Sequence, residues 1–283
     1  MALFSLLIAI IVERLKLLPA RWQLDSGLRW YQRQMFTDSQ LSTTGGMIVA
    51  LLLPAVSVAV ALWVVDGWFW GLPSLLLWVA LAVVCFSHQY QRRLFKRYVQ
   101  AACRGDVQAS FHFAGELDCS ECLDAVSERE LGARVGQSVA WLNYRYYGAV
   151  ALFFILFGPV GAVFYCSVRF FDERRQRLAK EWPVVDKLLY WLDWLPARII
   201  GFGYVLCGHF SNAFPLWCQL ALKREATPRE IVTQVALAAE TLPDDEDVPV
   251  SVQSTLALLA LSKRNSTLLL TILSLLTIFG LVS

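Results

Sequence analysis

Two uncharged runs separated by a single aspartate constrain this chain more than any other feature. Met47 to Val65 and Gly67 to Phe86 contain no Asp, Glu, Lys or Arg, and only Asp66 lies between them. A straight helix needs ~20 apolar residues to cross a hydrocarbon core of ~30 Å at ~1.5 Å per residue. The pair therefore predicts a hairpin of two spans, over 47–65 and 67–86, with Trp63, Trp68 and Trp70 as an aromatic belt at its turn. Gly148 to Val168, Ile199 to Leu222 and Asn265 to Ser283 lack charges as well, and the last reads as an ordinary span over 265–283. Composition agrees: 57% of the 283 residues are hydrophobic and 17% charged, against about 25% charged in soluble domains. Eleven Trp, nine Tyr and seventeen Phe exclude a disordered chain. The length suits one integral-membrane domain over 1–283.

Basic residues orient the hairpin. Arg14, Lys16, Arg21, Arg29 and Arg33 precede it, Arg92, Arg93, Lys96 and Arg97 follow it, and its turn carries none. Its tip should face outward and its flanks the cytoplasm. A plain crossing by 148–168 would then place Arg169, Arg174, Arg175, Arg177 and Lys180 outside. That stretch is interrupted by Gly158-Pro159-Val160-Gly161, which breaks a helix. Two arms of about ten residues would each reach ~15 Å, half the core, so a re-entrant segment is expected. Ile199 to Leu222, with Gly201, Gly203, Gly208, His209 and Pro215, is expected to dip in and return likewise. Ser120 and Thr241 would then be cytoplasmic. The alternative is four plain spans with 169–264 outside. Met1 to Val12 is too short to cross; with no basic residues before it and no small-x-small cleavage site, it is expected to pack or lie in the interface rather than be cleaved.

The polar segments carry helix punctuation. Ser127-Glu128-Arg129-Glu130 is a capping box that opens a helix running into Trp141 and Leu142. Thr227-Pro228-Arg229-Glu230 repeats the signature, with proline at the first helical position, for a helix to about Thr241. Pro243 to Pro249 reads as a loop whose acidic residues are solvated. The fold class is thus all-α: a polytopic membrane protein with re-entrant or broken helices and cytoplasmic helical segments.

Several chemistries are set aside. A net charge of +2 gives no reason to expect nucleic acid, and phosphate-loop, Gly-x-Ser-x-Gly and His-Glu-x-x-His strings are missing. Seven cysteines without regular spacing are no secreted disulfide framework. Cys119-Ser120-Glu121-Cys122, with His112 upstream, lacks further ligands of the same kind, so neither metal nor cofactor is expected. His88 reads as interfacial, whereas His209 sits inside an apolar stretch where ionisable groups are paired or functional. Leu192-Asp193-Trp194-Leu195-Pro196-Ala197-Arg198 and nearby Asp186 form the most informative group. Pro196 predicts a helix boundary that would hold the Arg198 fork at the membrane surface. Asn143, Arg145, Tyr146 and Tyr147 make a second cluster beside 148–168. Each reads either as part of a site or as an interfacial anchor.

These motifs carry a resemblance. Glu13-Arg14, Trp22-Gln23-Leu24-Asp25, Gly115-Glu116-Leu117, Trp141-Leu142-Asn143-Tyr144-Arg145-Tyr146-Tyr147, the Leu192 to Arg198 string and Gly208-His209 resemble the AmpE family nearly end to end. The resemblance implies a multi-pass inner-membrane modulator of β-lactamase induction, tied to cell-wall recycling and without established catalysis. The family is distantly similar to the CobD/CbiB membrane enzymes of cobalamin synthesis. Their Asp…Pro-Ala-Arg element has a counterpart in Asp193, Pro196, Ala197 and Arg198, and their Gly-Pro turn with following Tyr and Asp resembles Gly158-Pro159, Tyr165 and Asp172. This chain departs from that pattern at Arg21-Trp22-Gln23, Gly115-Glu116-Leu117 and Leu142-Asn143. The two resemblances imply a ligand site drawn from Glu116, Asn143, Arg145, Asp172, Asp193, Arg198 and His209. Membrane lipids and a cell-wall fragment or other small metabolite are the implied partners, beside a protein partner of unknown identity. An enzyme using Glu116, Asp172 or Asp193 as acid, base or metal ligand is the alternative.

Overall fold

A computed structural model describes residues 1–15, 19, 22–67, 71–118, 127–240 and 250–280. In chain order the helices are α1 (Ala2–Leu15), α2 (Leu24–Met35), α3 (Asp38–Leu41), α4 (Thr44–Val65), α5 (Leu72–Phe86), α6 (Gln89–Cys103) and α7 (Val107–Glu116). There follow α8 (Glu128–Asn143), a π-helical turn at Tyr144–Gly148, α9 (Ala149–Leu178), α10 (Val185–Cys207), α11 (Phe210–Leu222), α12 (Pro228–Ala239) and α13 (Val250–Ile278). No strand occurs among the described residues. The protein is an all-α polytopic membrane protein; among the described residues four helical stretches are long and apolar enough to cross a bilayer, 44–65, 72–103, 128–178 and 252–278. Trp68 and Trp70, Cys119 to Cys122, Thr241 and the acidic run at 244–247 lie outside the described residues.

The chain packs as two compact units. The first comprises Met1–Ser87, Ala149–Asp193 and Leu273–Ser283. Here α1 packs against α5 and buries Leu6 together with Ala2, Ser5 and Ala9, small residues at helical spacing that let backbones approach closely. Thr43 caps α4 by accepting from the Gly46 amide. Ile48, Val49, Leu52, Leu53, Val56, Val60 and Trp63 of α4 are exposed. An apolar face of that extent needs lipid rather than water.

α9 is bent at its middle. Gly158 has φ +66° and ψ −161°, a conformation only glycine adopts readily, and the Trp78 ring closes against it. Phe153 and Tyr165 stack with ring centroids 4.9 Å apart, although twelve residues of straight helix would separate them by ~18 Å. The stretch that composition alone scores as one long helix therefore folds over at Gly158-Pro159 into two arms that lean together.

The second unit comprises His88–Gly148 and Trp194–Ile272. Its core joins Leu94 and Tyr98 of α6, Ala114 of α7, and Leu131, Val135 and Val139 of α8. Gly132 and Gly136 of α8 form a Gly-x-x-x-Gly step against α13: the Thr255 hydroxyl donates to the Gly132 carbonyl at 2.9 Å. A Cβ on Gly136 would meet Leu258 Cδ1 at 2.6 Å, the close approach that small residues permit. α8 begins at its expected cap, with Ser127 Oγ accepting from the Glu130 amide, and α12 likewise, with Thr227 Oγ1 accepting from the Glu230 amide.

Two expectations on helix limits are corrected. Pro196 lies inside α10 rather than ending a helix; in an apolar helix packed among others, proline is tolerated because the backbone group it frees can be re-satisfied by its surroundings. The last helix begins at Val250 rather than Asn265. Lys263 and Arg264 are thus within it, the latter paired with Glu240 at 2.9 Å.

Candidate functional site

In the first unit, the second arm of α9 aligns Tyr165, Arg169 and the Asp172–Glu173 pair at spacings of three to four residues, which places them along one side of a helix. The Tyr165 hydroxyl donates to Asp193 Oδ1 at 2.8 Å, and Asp193 is only 3% exposed. Asp172 accepts from Arg175 Nη2 at 3.1 Å and from Gln176 Nε2 at 2.9 Å. Between these lies Arg169, fully buried. Its Nη2 donates to Asp25 Oδ1 of α2 at 3.3 Å, and its Nε is 3.6 Å from Glu173 Oε1. A guanidinium without solvent is tolerable only when paired in this way. The buried thiols of Cys85 and Cys166 hydrogen-bond to each other beside it.

Arg169 is the residue that sequence reading missed, having counted it among the flanking cations. The signal was present in Trp22-Gln23-Leu24-Asp25, whose aspartate opens the amphipathic helix α2. An acidic side chain on such a helix asks for a partner.

In the second unit, α10 and α11 form a helical hairpin broken at Gly208-His209. A Cβ on Gly208 would collide with Ala239 of α12, and the His209 amide donates to the Ala239 carbonyl at 2.7 Å. Arg198 is 8% exposed and is held between the hairpin's arms. Its Nε donates to the Ala221 carbonyl at 3.1 Å, its own carbonyl accepts from Trp217 Nε1 at 3.1 Å, and its guanidinium lies 4.0 Å from the Trp194 ring centroid. Asn265 of α13 donates to the Ile200 carbonyl at 3.1 Å. At the π-helical turn, Arg145 is buried with its guanidinium 5.9 Å from the Trp141 ring. His88 packs edge-on to Tyr146 at 4.4 Å, and Gln91 donates to the Tyr146 hydroxyl at 2.6 Å.

The expected site residues thus fall in both units. Asp172 and Asp193 belong to the first; Glu116, Asn143, Arg145, Arg198 and His209 belong to the second. Asn143 ends α8 and adjoins Arg145. Arg198 and His209 are eleven residues apart along α10 and its end, ~16 Å of helix, so the structure does not bring those two side by side. His209 is exposed rather than enclosed, and Glu116 is exposed beside His112 at 3.7 Å. Asp186 is an exposed first-turn residue of α10. Among the described residues no three His, Cys, Asp or Glu side chains converge as metal ligands. The first cluster holds Arg169 in fixed ion pairs, and the second holds Arg198 against backbone carbonyls and an indole ring.

Fold and clusters together define a helical membrane protein with bent apolar helices and buried guanidinium groups held by specific partners. The sequence profile of the family described as "Regulatory signalling modulator protein AmpE" matches residues 1–283. "Protein AmpE" of Shigella flexneri is 30% identical over 296 residues, covering 99% of this chain and 99% of that protein. The chain belongs to the AmpE family of regulatory signalling modulators. No solved structure matches it.

Proposed function

We propose that the protein is a multi-pass inner-membrane modulator of β-lactamase induction, coupled to peptidoglycan recycling, that acts by binding a cell-wall fragment or related small metabolite rather than by turnover. The observation that carries this reading is the whole-chain match to a family of regulatory signalling modulators. Two structural features favour it. The Gly158 bend divides α9 into 149–157 and 159–178, and the uncharged parts on its two sides, up to Val168, are each about ten residues or ~15 Å long, which supports a re-entrant pair sheltered by α4 and α5 with both flanks cytoplasmic. The exposed Arg93, Lys96 and Arg97 on α6, with Arg104 at its C-cap, suit a leaflet of anionic lipid on that side.

The test is complementation. In a strain lacking this chain, restoring it changes the level of inducible β-lactamase, and R198K restores less. Lysine keeps the charge but cannot reproduce the planar contacts to Ala221, Trp194 and the Trp194 ring. Unchanged induction on restoring the wild-type chain overturns the reading. Conversion of anhydro-muropeptides by the purified protein, seen by mass spectrometry, overturns its non-catalytic part.

A further inference from the structure

Of the five described cysteines, only Cys85 and Cys166 are buried, and those two touch. Cys85 is the penultimate residue of α5 and Cys166 stands in the second arm of α9, on helices that pack together within the first unit. They are 1% and 0% exposed, and their thiols hydrogen-bond to each other although roughly eighty residues separate them along the chain. An apolar stretch accepts a cysteine anywhere as a small hydrophobe, and a thiol is a weak donor to sulfur. Neither packing nor hydrogen bonding therefore asks that two of them meet.

The surroundings limit what the meeting can be for. Cys166 lies one helical turn before Arg169, whose guanidinium is already matched by Asp25 and Glu173. A lasting thiolate would have to share that guanidinium, and a buried charge without its own partner is costly. Among the described residues no third His, Cys, Asp or Glu joins the pair as a metal ligand. A disulfide adds no charge and needs no further ligand, only two sulfurs placed near enough to bond.

We propose that Cys85 and Cys166 are a redox-sensitive latch: oxidation by a hydroperoxide joins them in a disulfide that ties the second arm of α9 to the end of α5. One hydroperoxide balances the step. The Cys166 sulfur, one turn from the Arg169 charge, attacks a peroxide oxygen and the O–O bond breaks. The leaving oxygen takes the thiol proton and departs as water or an alcohol, and Cys166 is left as a sulfenic acid. The Cys85 sulfur then displaces the sulfenic oxygen, which leaves as water with the second proton. Two electrons pass from the sulfurs to the broken O–O bond. Hydrogen peroxide is small and uncharged, so it enters a dry site without the cost of a buried ion. A dithiol reverses the bond by exchange, its own sulfurs taking over the disulfide. The latch stands whether or not the modulator reading holds.

The experiment treats the full-length protein in detergent with hydrogen peroxide, maps its peptides by mass spectrometry and follows its thermal unfolding. Peptides carrying Cys85 and Cys166 are recovered joined, and the unfolding midpoint rises by about 5–15 °C, as a disulfide closing a long loop implies. Dithiothreitol reverses both changes. In C85A and C166A, peroxide leaves the midpoint where it was. Should either variant fail to fold, the joined peptides and the reversible shift in the unaltered chain decide alone. Three results each overturn the latch. The first is full alkylation of both thiols after unfolding, under peroxide that has oxidised the exposed Cys103. The second is a joined pair with no change in midpoint. The third is an equal shift in a folded C85A or C166A chain.

Discussion

Arg169 shows how one side chain can govern a membrane unit. It has no solvent to fall back on, and its partners come from its own helix and from an amphipathic helix near the N-terminus. Removing one member of a buried pair strands the other, at about 3–5 kcal/mol. R169M is therefore expected to lower the unfolding midpoint sharply. D25N should do so less, because Glu173 remains. The double variant should recover part of the loss, a non-additivity that a double-mutant cycle measures; strict additivity would mean that the 3.3 Å contact contributes nothing. Tyr165 and Asp193 form a milder case. Y165F deletes the hydroxyl that donates to a buried carboxylate and should cost about 1–3 kcal/mol, read by the same melting experiment.

At the level of elements, the breaks matter more than the helices. Replacing Gly158 with alanine would put a Cβ 3.0 Å from the Trp78 ring on a backbone with φ +66°. We expect a loss of at least ~1–2 kcal/mol from the backbone alone. Limited proteolysis should report it as faster cleavage between 153 and 165, and unchanged protection would mean that the bend relaxes freely. This break was legible in the sequence because Gly-Pro-Val-Gly interrupts an otherwise charge-free run. So were the caps at Ser127 and Thr227, whose hydroxyl-to-amide geometry is local. Pro196 was misread because proline's boundary rule is local, whereas α10 continues through it in apolar surroundings where a proline inside a helix is tolerated. The start of α13 was misread for a related reason: Lys263 and Arg264 look like a boundary, but Glu240 makes Arg264 compatible with a continuing helix. Arg169 and its aspartate were invisible as a pair, since nothing local relates positions 144 residues apart.

For the whole molecule, the side of the membrane is the quantity to measure. With the native cysteines replaced, single cysteines at the exposed positions Gln108 and Glu225 should label only from the cytoplasm if both broken segments return to the side they entered from. Periplasmic labelling at Glu225 alone would mean that the chain crosses between them. The discontinuous make-up of the first unit carries a further consequence, one of time. Asp25 emerges from the ribosome 144 residues ahead of the cation that neutralises it, a delay of about 7–30 s at ordinary elongation rates. During that interval α2 has an acidic side chain and no counter-charge from α9. It must stay at the wet boundary while the following span hairpin inserts, and it can settle only once the bent segment arrives. Order of synthesis is thereby written into the structure, and a ribosome stalled before codon 169 would leave the N-terminal quarter of the protein inserted but unlatched.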